Sequence, residues 1–319
     1  MHLRRFSLPG SRQSRWLWML ACLLMAGCAA AEPPPARLSG LLLDAELDEV
    51  SGLAASRRHD NVLWLVEDGG NPARLHAISR RGRKRATFEV ADATTTDWED
   101  LAAFELDGRA YLLIADTGDN GGLRRTVQLH VVAEPGQLNL PAGSKAAPLK
   151  PAWSIVFRWP DGARDCEAVA VDAARGQILL ISKKREPPEL FVLPLRPRGN
   201  GVLTARALGT LLRAPRADAD EQRADPAQAR IQSQVTGADL SPDGRTLAVL
   251  TYRQALLYSR RGNESWTSTI ARTPERRALP WLHQAEALGW AAHGRGLYAT
   301  GEFSPAPLIY LPVEPSAKR

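Results

Sequence analysis

One six-residue pattern recurs five times along the chain: EVSGLA at 49–54, DWEDLA at 97–102, DCEAVA at 165–170, QVTGAD at 234–239 and QAEALG at 284–289. A chain that repeats one short unit is confined to architectures that stack or circle copies of a single supersecondary element. Each copy is followed at a constant distance by an apolar stretch, at 63–66, 111–115, 178–182, 247–251 and 297–300. The turns between them, RHDN at 58–61, LDGR at 106–109, ARGQ at 174–177, PDGR at 242–245 and HGRG at 293–296, carry residues that close hairpins. A third strand follows in every unit, at 74–78, 127–131, 189–193, 255–258 and 308–311. Fourth strands are visible at 86–90, 154–158 and about 205–212. The fifth unit has none of its own, and the segment 37–43 ahead of the first unit can supply it. Pairing the two ends of the chain removes the exposed sheet edge. The pattern therefore predicts an all-β fold, a single β-propeller over 38–315 with five four-stranded blades, closed by the N-terminal strand. A sixth, degenerate blade within 135–150 or 213–233 is the alternative; both stretches read more simply as surface insertions.

Ahead of the propeller, Arg4, Arg5, Arg12 and Arg15 precede an apolar run at 16–26 that is too short to span a bilayer comfortably. It ends in LMAGC at 24–28, similar to the lipobox of bacterial lipoproteins, with Met25 where Leu is usual. The expected organisation is a signal peptide over 1–27, acylation of Cys28, and a Pro-rich tether over 28–37. A lipid anchor at Cys28 makes the membrane a partner, and the absence of Asp after the cysteine points to the outer membrane, facing the periplasm. With Cys22 lost and Cys28 acylated, Cys166 is the remaining thiol, which excludes an internal disulfide and a thiolate zinc site. Its apolar neighbours mark it as a core residue.

The formal net charge of +6 comes with arginine pairs at 57–58, 80–81, 124–125, 260–261 and 276–277, many in turns. Scattered pairs of this kind describe a solvated surface, so nucleic acid is not an expected partner. No serine-centred elbow, Walker loop or HExxH motif occurs.

In a propeller the first strand of each blade lines the channel and the second runs antiparallel, so the start of one and the end of the other share a mouth. The repeat then gathers Glu49, Asp97, Asp165, Gln234 and Gln284 in one column and Ser51, Glu99, Glu167, Thr236 and Glu286 in a second. Between them runs the apolar column Val50, Trp98, Cys166, Val235 and Ala285. At the ends of the second strands stand Glu67, Asp116, Lys183, Tyr252 and Glu302, flanked by Asp68, Asp119, Asn120, Lys184 and Arg253. Carboxylates crowded at one mouth repel, which raises their pKa values or demands a counter-ion. Hard oxygen donors suit a divalent cation, calcium by preference, with Glu99, Glu167 and Glu286 as candidate ligands. The competing expectation is that these carboxylates cap backbone amides and pair with Lys183, Lys184 and Arg253. The loop DTGDNGG at 116–122 lacks the glutamate and helical flanks of an EF-hand and reads as a turn capped by its own Asp and Asn side chains. Trp98 and Trp290 are expected in the core, whereas Trp281 and His283 can stand at the mouth.

The segments SGLA, DWEDLA, DTGDN, CEAVAVD and QAEAL together resemble a group of secreted bacterial β-propellers related to the SdiA-regulated and esterase-like phytase types. The likeness runs over most of 48–310. It implies calcium binding and, at most, phosphoester or ester hydrolysis; this chain lacks the dense basic pocket that phytase chemistry requires. Three functions follow in order: an envelope lipoprotein binding a small ligand or envelope protein at the mouth, a metal-dependent hydrolase or lactonase with Asp116 or Glu302 as general base, and an assembly factor. Binding residues would be Glu67, Asp68, Asp97, Asp119, Asn120, Asp165, Lys183, Tyr252 and Gln284. Lipidation predicts that the chain partitions into the detergent phase of a bacterial lysate and that Cys28→Ser moves it to the aqueous phase; equal partitioning of the two sinks the lipobox assignment.

Overall fold

The second strands of the repeats read as unbroken apolar runs because both of their faces are buried, each against a different neighbouring blade. Along Val62–Glu67, Trp64 and Val66 pack toward the second blade while Leu63 and Leu65 pack toward the fifth. The structure, a computed structural model, describes residues 34–93, 95–138, 146–212, 216–280 and 282–313. The expected signal segment, Cys28 and Trp281 lie outside the described residues.

Blade 1 comprises β2 (Val50–Ala55), β3 (Val62–Glu67), β4 (Arg74–Ser79) and β5 (Lys84–Glu89). Blade 2 comprises β6 (Trp98–Leu106), β7 (Arg109–Asp116), β8 (Val127–Ala133) and β9 (Pro151–Arg158). Blade 3 is β10 (Cys166–Asp172), β11 (Gln177–Ser182), β12 (Glu189–Pro194) and β14 (Arg206–Thr210). The short β13 (Leu203–Thr204) leaves blade 3 and pairs in parallel with β9. Blade 4 is β15 (Val235–Leu240), β16 (Thr246–Thr251), β17 (Gln254–Ser259) and β18 (Glu275–Ala278). Blade 5 is β19 (Ala285–Trp290), β20 (Gly296–Gly301) and β21 (Ala306–Pro312), completed by β1 (Arg37–Leu42). Five blades and closure by the N-terminal strand agree with the repeat pattern, and no sixth sheet forms among the described residues. The hairpin turns work as their residues predict: Asn61, Asp107, Gly176, Gly244 and Gly294 all have positive φ.

Two features depart from the expectation. The sequence does not announce β18, whose exposed outer position removes the apolar alternation that marks a strand. The insertion after β14 is helical, with α1 (Ala219–Ala224) and α2 (Pro226–Ile231). Asp218 and Glu221 form a capping box for α1, and Asp225 caps α2 ahead of Pro226.

Five hydrophobic cores lie between consecutive blades and close the circle. The seam between blades 5 and 1 is the one that the chain ends must hold, and there the turn between β4 and β5 folds over β1. Ser39 Oγ donates to the carbonyl of Arg80 at 2.6 Å and the Leu41 amide donates to the carbonyl of Arg81 at 3.3 Å. Gly82, at φ +82°, lies so close to the Leu41 carbonyl that a Cβ there would overlap it.

The inner strands β2, β6, β10, β15 and β19 touch in cyclic order around the axis, and each is the terminal strand of its sheet. Their channel-side amides have no strand partner and need another acceptor. Asp100 supplies one: its Oδ2 accepts from Val169 at 2.7 Å in blade 3 and Ala238 at 3.1 Å in blade 4, while Oδ1 accepts from its own neighbour Leu101 at 2.8 Å. Asp239 does the same for Trp290 of blade 5 at 2.7 Å. Asp100→Ala strands three buried donors at about 1–3 kcal/mol each, offset in part because the buried carboxylate is removed with its own desolvation cost. Denaturant unfolding is expected to show a loss of about 2–5 kcal/mol; a loss below about 1 kcal/mol would contradict this bracing role.

Candidate functional site

The pairing of inner and second strand slips once in every blade, always at the same column. Ser51, Glu99, Glu167, Thr236 and Glu286 each occupy the extra position, between Val50 and Gly52, Trp98 and Asp100, Cys166 and Ala168, Val235 and Gly237, and Ala285 and Ala287. A bulge leaves its residue without a ladder partner and turns the side chain away from the sheet. The residue before it stays in the core, as the burial of Val50, Trp98, Cys166, Val235 and Ala285 shows. Ser51 and Thr236 use this position to donate across to the next blade, to the carbonyls of Trp98 at 3.0 Å and Ala285 at 2.6 Å. Glu99, Glu167 and Glu286 are left to form the polar centre of the mouth.

Glu99 belongs to two groups of carboxylates. One oxygen each from Asp68, Asp97 and Glu99 lie within 4.8 Å of one another, and the same holds for Glu99, Asp165 and Glu167. These residues come from blades 1, 2 and 3: Asp68 follows β3, Asp97 and Asp165 precede β6 and β10, and the glutamates are the bulge residues. Glu99 and Glu167 are only 5% and 2% exposed, whereas Asp68 and Asp97 are half-buried at the opening. Gly118 passes so close that a Cβ on it would overlap the carboxylates of Glu99 and Asp97.

Two lysines face this group. Lys183 pairs with Glu167, lies 4.0 Å from Glu286 and stands 5.3 Å from the centre of the Tyr252 ring, whose hydroxyl donates to Glu286 at 2.8 Å. Lys184 is 2.9 Å from Asp165 and donates to Asn120 Oδ1 at 2.6 Å. The buried oxygens Asp165 Oδ2 and Glu167 Oε2 meet these ammonium groups as ion pairs without an aligned hydrogen bond. Negative charge exceeds positive in the cluster, and the titration of its members follows. Burial, then the charge of Glu167, raises Glu99 well above the ordinary carboxylate range. Burial raises Glu167 despite Lys183, and it raises Glu286 and Asp68 as well. Burial and the charges of Asp68 and Asp165 push Asp97 up to about 6, while burial and Glu286 push Glu302 up to about 7. Burial works against the Lys183 ammonium, but Glu167 and Glu286 outweigh it and hold its pKa above the ordinary value.

Several expected site residues serve elsewhere. Asp116 is fully buried, 2.7 Å from Arg124, and accepts from the amides of Asp97 and Thr96, so it anchors the loop and is not placed as a base. Glu67 turns into the blade and meets His76 Nε2 at 3.0 Å. Asp119 caps its own loop through the amides of Leu123 at 2.7 Å and Arg124 at 2.9 Å. Its amide donates to Asp165 at 2.8 Å. Glu286 lies across Lys183 from both carboxylate groups, outside the convergent oxygens. Arg253 pairs with Glu221 of the helical insertion instead of the mouth carboxylates. Gln284 donates to Glu302, Asn71 donates to Glu49 at 2.7 Å, and His283 packs edge-on against Phe303. Cys166 is fully buried, which pushes its thiol up to about 12 and removes it from nucleophilic chemistry at neutral pH. Sequence reasoning missed Asp100, although the column after the bulge otherwise reads Gly52, Ala168, Gly237 and Ala287, and a lone acid among small residues is a signal.

No protein-family model matches the sequence, and no curated protein matches it. Among solved structures the chain is similar to one titled "Crystal structure of Nidogen/Laminin Complex", with a TM-score of 0.44 and 15% identity over 82% of this chain and 74% of that one.

The raised carboxylates determine how stability responds to pH. A group whose folded pKa lies above its unfolded value binds its proton more tightly when folded, so its contribution is present below the unfolded pKa and is lost as pH rises through the folded one. For Asp97 and Glu302 that window runs from their ordinary values, 3.8 and 4.5, to about 6 and 7. Without divalent cations the melting temperature is expected to fall as pH is raised from about 5 to about 7.5. A melting temperature that rises over this range would contradict the electrostatic account of the mouth.

Proposed function

We propose that this chain is an exported, lipid-anchored β-propeller of the cell envelope that binds a ligand at its acidic channel mouth through a divalent cation. The observation that carries the reading is Glu99, a nearly buried carboxylate shared by two convergent groups from three blades. Buried carboxylates so close together either hold protons or hold a cation, and two lysines do not balance them. The donors are carboxylate oxygens held on separate loops, which suits calcium, an ion that accepts six to eight oxygens in flexible geometry. Asp68, Asp97, Glu99, Asp165 and Glu167 are the ligands in this reading, with the open side left for oxygen atoms of a polyhydroxylated or anionic ligand. The resemblance of the repeat segments to secreted propellers and the lipobox-like LMAGC at 24–28 support the location.

A second reading, a metal-dependent hydrolase, is favoured by one observation. Glu302 is half-buried at the mouth with a pKa pushed up to about 7, where a carboxylate can accept a proton from a water bound near it. Of the two bases expected from the sequence it is the one with a carboxylate not committed to an arginine.

Calcium at about a hundred times its dissociation constant stabilises a folded protein by about 2.7 kcal/mol, several degrees in melting temperature. The chain is expected to show that rise and to flatten its pH dependence, and Glu99→Gln with Glu167→Gln is expected to abolish the rise. If calcium leaves the melting temperature of the intact fold unchanged, both readings fail.

A further inference from the structure

Carboxylates are in excess at the mouth, and arginines are in excess at the other end of the propeller. Strand directions alternate, so the turns joining first to second and third to fourth strands lie at the end away from the carboxylate mouth. Three of the arginine pairs, at 57–58, 80–81 and 260–261, fall in those turns; Arg260 is buried on Asp172, and the other five arginines are at least partly exposed. β1 also begins there, because it runs antiparallel to β21 with Arg37 opposite Tyr310 near that strand's far end.

Where β1 meets the β4–β5 turn, the seam opens into a cleft of about 510 Å³ lined by Arg37, Arg80, Arg81, His293 and Tyr310, with Leu38 at its lip. The Arg37 guanidinium stacks 4.9 Å from the centre of the Tyr310 ring, and Arg80 donates to Asn61 Oδ1. No carboxylate among the described residues pairs with Arg37, Arg80 or Arg81. The unbalanced field is felt by His293, whose pKa is held below its ordinary value by burial and then by Arg80 and Arg295. Leu38 is 64% exposed, and Leu41 and Leu43 on the same edge are exposed too.

We propose that this cleft and the turns around it form a docking surface for the phosphate headgroups of an anionic membrane. Clustered arginines beside an exposed leucine combine attraction to headgroup phosphates with shallow apolar insertion, the pairing that interfacial proteins use. The location rests on the anchored-lipoprotein reading, because the nine peptide steps from Cys28 to Arg37 reach at most about 30 Å. Charge supports the same orientation: the carboxylate mouth is repelled by an anionic surface and would open away from it.

The test is co-sedimentation of the full chain with vesicles of phosphatidylcholine alone and of phosphatidylcholine with phosphatidylglycerol. The apolar N-terminal segment contributes to both, so the gain from phosphatidylglycerol isolates the charged surface. Arg37→Ser with Arg80→Ser and Arg81→Ser is expected to reduce that gain about tenfold or more. Arg216→Ser with Arg223→Ser and Arg230→Ser, which removes equal charge from the insertion at the other end, is expected to leave it intact. Should the first variant melt early, Arg81→Ser alone, at an exposed turn position, is expected to show a smaller loss of the same sign. Equal losses in both triple variants, no gain from phosphatidylglycerol, or displacement by inorganic phosphate at constant ionic strength would overturn the proposal; the last would assign the cleft to a soluble phosphate. Calcium-dependent melting of the same preparation reports on the acidic mouth separately, so either proposal can fail without the other.

Discussion

The innermost strand of every blade is a sheet edge, and five such edges face one another across a narrow axis. Their unpaired amides cannot reach a neighbouring strand and are too buried to rely on bulk water, so side chains must complete them. Asp100 and Asp239 do this by reaching between blades, and Ser51, Thr236 and Thr117 do it for carbonyls. Bracing carboxylates at the centre of the fold carry an electrostatic cost: burial pushes Asp239 up to about 6, and burial raises Asp100 well above the ordinary carboxylate range despite its three amide donors. The inner strands are therefore stitched together around the axis by these side chains, while Glu99, Glu167 and Glu286 stay free of this bracing at the mouth.

The same edges explain why the mouth is acidic in one sector. A bulge at one column frees five side chains from the ladder, and the chain uses them in two ways. Small hydroxyl residues in blades 1 and 4 tie inner strands together, while glutamates in blades 2, 3 and 5 project charge. Because blades 2 and 3 are neighbours, Glu99 and Glu167 meet, and the Asp residues at the starts of β6 and β10 complete the group. Glu286 arrives from the other side and is held by Tyr252 and Lys183. Carboxylates outnumber lysines at this end and arginines collect in turns at the other, so the two ends of the propeller differ in charge.

Much of the scaffold could be read in advance because it follows from local pattern. Period-two alternation, turn residues with positive φ and apolar second strands are written within each repeat, so the blade number and the closing role of 37–43 followed. The strand β18 and the helical insertion were harder for opposite reasons. An exposed outer strand has no apolar stripe to betray it, while the capping box at Asp218 and the Asp225–Pro226 pair were present but sat in a stretch otherwise rich in charge. The repeat columns placed Asp68, Asp97, Glu99, Asp165, Glu167 and Lys183 near one mouth, and the structure brings these side chains close together.

The repeat by itself determined that five sheets circle an axis and which residues stand at each end, since strand direction and side-chain alternation are set by neighbours in sequence. Only the tertiary structure decided which of the mouth residues share a space. Glu67 and Asp116 stand in the same column as Lys183, yet one turns to His76 and the other to Arg124, because a side chain at the end of a strand can reach into the blade or across the axis at similar cost. The basic cleft was equally hidden, as it forms where residues near 37, 80, 293 and 310 meet at the ring's closure, and nothing local to any of them encodes that meeting.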